Sequence, residues 1–151
     1  MAAKTAGEIL AEAKYFHRHL GAFYELLRQK VESPKVQLVL EYLSRHEDRM
    51  EATLGRYEQE MANKIAHAWF KSVPGDSVDA RIAACEVKPG MTLDELLALT
   101  LKFEDAFIGL YRHVADQAVT DDVRAVFETL ERESRKDRAN LVRNLVEMED
   151  L

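Results

Sequence analysis

The strongest constraint on this chain is that it resembles itself. At an offset of 87 residues, and without a gap, Thr5 lands on Thr92, Glu8 on Glu95, Leu10 on Leu97, Ala11 on Ala98, Phe16 on Phe103 and Tyr24 on Tyr111. The match continues with Val36 on Val123, Glu41 on Glu128, Leu43 on Leu130, Arg45 on Arg132 and Leu54 on Leu141. A repeat of this kind makes each copy one supersecondary unit that buries its apolar face against the other. The chain therefore reads as two copies of a helical hairpin.

Helix-start chemistry supports the hairpins independently. Thr5 with Glu8, and Thr92 with Glu95, each form a capping box, in which the hydroxyl and the carboxylate three residues later satisfy backbone donors left open at a helix start. Ser33 before Pro34 and Thr120 before Asp121 and Asp122 announce the second helix of each copy. The predicted helices run over about 5–31, 35–70, 92–118 and 121–149. Hairpin repeats thus cover about 5–70 and 92–149, joined by a crossover over about 71–91 that includes Ser72, Pro74, Gly75, Asp76, Pro89 and Gly90. Short turns make helices one and two, and three and four, antiparallel neighbours, whereas the long crossover lets helices two and three run parallel.

Each helix carries apolar residues at spacings of three and four, the pattern of a face buried in a bundle. Helix one runs Leu10, Ala13, His17, Leu20, Tyr24, Leu27, Val31, and helix three runs Leu97, Thr100, Glu104, Phe107, Tyr111, Val114, Ala118. Helix two runs Val36, Leu40, Leu43, Glu47, Met50, Leu54, Tyr57, Met61, and helix four Val123, Phe127, Leu130, Ser134, Asp137, Leu141, Leu145, Met148. His17, Glu47, Glu104, Ser134 and Asp137 interrupt these stripes in register, so a symmetric packing directs them toward one interior layer. Buried carboxylates must be protonated, paired, hydrated or metal-bound. His46, about 100° around the helix from Glu47, is expected to face a neighbouring helix or solvent, and His19, His67 and His113 also lie off the layer.

The bulk numbers fit one domain of 151 residues, with 32% charged residues and only six Gly and three Pro. A net charge of −6, with basic residues scattered, offers no footprint for nucleic acid. No apolar run approaches the length of a membrane span and the N-terminus has no signal-peptide core, so a cytoplasmic protein with no membrane partner is expected. The single cysteine, Cys85, excludes an internal disulfide and a cysteine-based zinc or iron knuckle. The apolar stretch Ala66, Ala68, Trp69, Phe70 is expected to end helix two and to dock under the crossover or form a dimer contact. No nucleophile–base pair or phosphate loop is readable.

The polar layer resembles that of the ferritin-like superfamily, in its rubrerythrin and bacterioferritin branch. In those di-iron proteins helices one and three each give a glutamate seven residues before a tyrosine, and helices two and four each give a Glu-x-x-His pair. Here Tyr24 and Tyr111 stand seven residues after His17 and Glu104, and the Glu-x-x-His positions fall on Glu47 with Met50 and on Ser134 with Asp137. The resemblance implies an all-α, ferritin-like four-helix bundle of two pseudo-symmetric hairpins that self-associates as a homodimer. Its metal motif is half intact: Glu47 and Glu104 keep the family identity, His17 and Asp137 are donors of another type, and Met50 and Ser134 are poor ligands for a hard or borderline metal. A reduced site at His17, Glu47, Glu104 and Asp137 for one Fe, Mn or Zn ion is then one expectation. A metal-free helical scaffold or interaction protein is the other, with a buried network in which His17 pairs with Glu47 or Glu104 and with Tyr24 and Tyr111 as core aromatics. A ferroxidase- or peroxidase-type di-iron protein is a further alternative, against which stand the two missing ligands, and the hemerythrin pattern needs a histidine frame that these five do not supply.

Overall fold

Threonine side chains start three of the four long helices as expected. In a computed structural model, which describes residues 2–73, 77–86 and 88–150, Thr5 caps α1 (Ala6–Lys30) and Thr92 caps a second helix (Leu93–Gln117), each with both hydrogen bonds of the capping box. Ser33 accepts from the Val36 N–H to start α2 (Pro34–Glu60), with proline at its first turn. Thr120 does the same from the Val123 N–H for the last helix (Asp121–Glu149). Between the pairs lie α3 (Asn63–Ala66) and α4 (Ser77–Ala83), so the Leu93–Gln117 helix is α5 and the Asp121–Glu149 helix α6. Among the described residues the chain is all-α apart from one short ribbon. α5 begins and ends 87 residues after α1 does, and α6 begins 87 residues after α2.

Cross-helix contacts fix the directions. Lys14 meets Glu58, Arg18 meets Glu51 and Ser44 donates to the Gly21 carbonyl, so α1 and α2 are antiparallel. Asp105 with Arg138 and Arg112 with Glu131 set α5 against α6 in the same sense. Between hairpins, His17 stacks on Phe107 and the Tyr24 hydroxyl donates to Thr100, which makes α1 and α5 antiparallel. Being antiparallel to α1 as well, α2 runs parallel to α5. Lys35 donates to the Glu149 carbonyl and Asn144 to the Tyr42 hydroxyl, placing α6 antiparallel along α2.

All four long helices contribute to one core, including Leu10, Leu20, Leu27, Leu40, Leu43, Phe103, Phe107, Phe127 and Leu141. The crossover keeps α2 shorter than the sequence pattern predicts. The helix ends at Glu60, where Met61 turns extended, and Trp69–Val73 forms a strand, β2, antiparallel to β1 (Ala2–Thr5). Helical spacing in Ala66, Ala68, Trp69 and Phe70 misleads because this segment has an edge partner: the Ala6 N–H donates to the Ala68 carbonyl, and Thr5 pairs with Trp69. Alternation then turns Phe70 inward, edge-on to Phe127 at 5.8 Å, and leaves Trp69 66% exposed. Pro74, Gly75 and Asp76, expected in the crossover, lie outside the described residues. No helix among the described residues is long and apolar enough to cross a membrane.

Candidate metal centre

The polar interruptions in the stripes meet halfway along the bundle. His17, Glu47, Glu104 and Ser134 are all buried, from α1, α2, α5 and α6 in turn, and Asp137 lies at the edge of the same layer, 24% exposed. Close approach of α1 to α2 is part of the design. A Cβ on Gly21 would meet the Glu47 Cβ at 3.3 Å, so glycine lets the backbones come together one turn from His17.

His46, expected off the layer, is in it. Its Nε2 lies 2.9 Å from Asp137 Oδ2, 3.7 Å from Glu104 Oε1 and 3.9 Å from Glu47 Oε2. A one-line stripe was too narrow a description of α2, whose buried face includes Val39 and His46 beside Leu40 and Glu47. The signal was in the sequence: Val39 stands seven residues before His46, as Leu40 stands seven before Glu47, and a core-facing helix buries a band wider than one line. The face of α2 at His46 looks onto α6, so the neighbour it meets there is Asp137.

His17 touches the layer differently. Its Nδ1 lies 3.1 Å from Glu47 Oε1, and its ring stacks on Phe107 at 3.8 Å between centroids and 5° between planes. Met50 is half-buried, and Ser134 is buried. Tyr24 and Tyr111 are both buried, and their hydroxyl pKa values are raised by burial and by the nearby Glu47 and Glu104. Tyr24 finds Thr100 at 3.4 Å, a core aromatic with a satisfied hydroxyl.

The electrostatics of the layer are crowded. Burial by itself would lower the His46 pKa, but Asp137, Glu104 and Glu47 outweigh it and push the imidazole up to about 10. Burial raises Glu104, and the Glu47 charge adds to that against the pull of His46. Even so, His46 Nε2, Glu47 Oε2 and Asp137 Oδ2 are buried and none makes a hydrogen bond. Nε2 and Oδ2 are close without being aligned, so proximity here is not satisfaction.

An imidazole nitrogen and carboxylate oxygens that converge without hydrogen bonds suit a cation between them, which would displace the proton from His46 Nε2. His46, Glu47 and Glu104 each offer one ligand atom, all within 4.8 Å of one another, and this buried group could hold a metal ion. Bonds of about 2.1 Å place two ligands about 3 Å apart at a right angle and about 4.2 Å apart when opposite. The 3.7 and 3.9 Å separations from His46 to the two glutamates fall inside that range. Asp137 joins through His46 from the more exposed side. The chain matches no protein-family model, no curated protein and no solved structure.

Proposed function

We propose that this protein binds one Fe, Mn or Zn ion inside its helical bundle, through His46, Glu47 and Glu104 with Asp137 at the edge. The observation that carries the reading is the buried cluster of His46, Glu47 and Glu104, whose ligand atoms lie within 4.8 Å of one another, with His46 Nε2 and Glu47 Oε2 lacking hydrogen bonds. One imidazole nitrogen with carboxylate oxygens, and no thiolate, is a donor set shared by Fe, Mn and Zn. Compared with the ligand set expected from sequence, His46 replaces His17.

The same reading places the chain in the ferritin-like superfamily as a member with a reduced site. Support comes from the 87-residue offset between equivalent helices, the parallel α2 and α5, and an acid-rich layer drawn from all the long helices. With Met50 and Ser134 at two positions of the di-iron frame, the reading assigns ion binding and no oxygen or peroxide chemistry. Self-association as a homodimer belongs to this reading and is checked by light scattering on the purified protein.

The test is elemental analysis of protein purified without a metal-affinity tag, incubated with Fe(II), Mn(II) or Zn(II) and desalted. About one equivalent should remain on the wild type and be lost from the His46→Ala/Glu104→Ala double variant. Retention of no ion by either would overturn the proposal and leave a charged layer in which the His46 imidazolium is held by its three acids.

A further inference from the structure

The two repeat-equivalent positions His17 and Glu104 do not do the same thing. Resting on the metal-binding reading above, we infer that His17 is a positioning residue: it turns Glu47 toward the ion without binding the ion itself. Three observations carry this. His17 uses Nδ1 on Glu47 Oε1 at 3.1 Å, while the other oxygen of the same carboxylate, Oε2, has no hydrogen bond and faces His46. The ring cannot easily rotate away, because it lies flat on Phe107 and is 2% exposed. The buried cluster whose ligand atoms lie within 4.8 Å of one another consists of His46, Glu47 and Glu104, without His17.

A carboxylate has two oxygens and a rotatable plane. Bound at one oxygen, it presents the other in a fixed direction, so the hydrogen bond from His17 removes the freedom that Glu47 would otherwise lose on binding an ion. Gly21, one turn further along α1, reinforces the arrangement by letting α1 and α2 approach at the Glu47 Cβ. The imidazole nitrogen of the centre therefore comes from His46 alone, and the α1 position is one step removed from the ion.

Co(II) titration distinguishes a ligand from a positioning residue, because its visible absorption bands depend on the atoms bound to it. His17→Leu should raise the Kd for Co(II) about 10–100-fold, the usual effect of losing a partner that orients a ligand. His17→Gln, which keeps an N–H donor, should restore binding to within about threefold of wild type, by the same reasoning. Both variants should keep the wild-type band positions, whereas His46→Gln should shift them. Bands that move in His17→Gln would make His17 a ligand, and unchanged affinity in His17→Leu would remove its positioning role; either overturns the inference while the metal-binding reading stands. Wild-type protein that takes up no Co(II) overturns both together. Should His17→Leu fail to fold by circular dichroism, Phe107→Leu replaces it: loss of the stacked support should weaken binding several-fold with unmoved bands, and unweakened binding would count against the inference.

Discussion

Replacing Glu104 with leucine should stabilise the metal-free protein. Glu104 Oε1 lies 3.7 Å from His46 Nε2, an attraction of about 4 kcal/mol at an effective dielectric constant of 20. Glu47 offers an oxygen within 4.8 Å of it, a repulsion of at least about 3.5 kcal/mol on the same scale, and Asp137 adds more of the same sign. These Coulomb terms nearly cancel. What remains is the cost of keeping a carboxylate, 3% exposed, away from water, and the roughly 1.5–3 kcal/mol that a buried leucine side chain contributes. Both favour leucine. His46 is left with Asp137 at 2.9 Å and Glu47 at 3.9 Å, so no charge is stranded by the change. The net gain should be about 1–4 kcal/mol, or roughly 3–12 °C in Tm for a chain of this size. Thermal unfolding followed by circular dichroism, with chelator present throughout, measures it. A Tm that falls by several degrees would refute the count of three acids against one imidazolium, and would show that Glu104 is needed to hold the hairpins together.

Saturating Zn(II) or Mn(II) should raise the wild-type Tm, since an ion at a hundred times its Kd stabilises the folded state by about 2.7 kcal/mol; scanning calorimetry on His46→Ala should show no such shift. The His46 pKa of about 10 lies above its unfolded value, so the stability it contributes is complete below the unfolded pKa of about 6.5 and is lost as pH rises through about 10. The Tm of the metal-free protein should accordingly decline over that alkaline window, and His46→Gln should flatten that decline. The sole tryptophan, Trp69, is 66% exposed, so its fluorescence should be quenched by acrylamide nearly as well as that of free tryptophan; strong protection would mean that another surface covers it.

Local chemistry made most of the fold readable. Thr5, Ser33, Thr92 and Thr120 each place a side-chain acceptor at a helix start, and all four cap the helices that their neighbours predict. Strand pairing was not readable, because the partner of Trp69–Val73 lies at the other end of the first hairpin, in Ala2–Thr5. Nothing local announces a contact of that sequence separation, and β propensity alone is weak in so short a segment. At the site, Glu47 and Glu104 were legible as charges on an otherwise apolar line. His46 was legible only as a residue on the flank of the buried band, seven residues after Val39, and such a residue is exposed or central depending on which helix lies opposite.

Asp137 is the part of the charged layer that reaches solvent appreciably, at 24% exposure against 6% or less for His46, Glu47 and Glu104. On the proposed reading, the ion is closed in on most sides, and the partly exposed Asp137 side chain on α6 stands between it and solvent. A multidentate chelator is too bulky to wrap an ion enclosed in this way, so it captures only ions that have already left. Stripping should therefore proceed at a rate set by the protein's own breathing and independent of chelator concentration, a first-order release whose half-life shortens when Asp137 is made smaller.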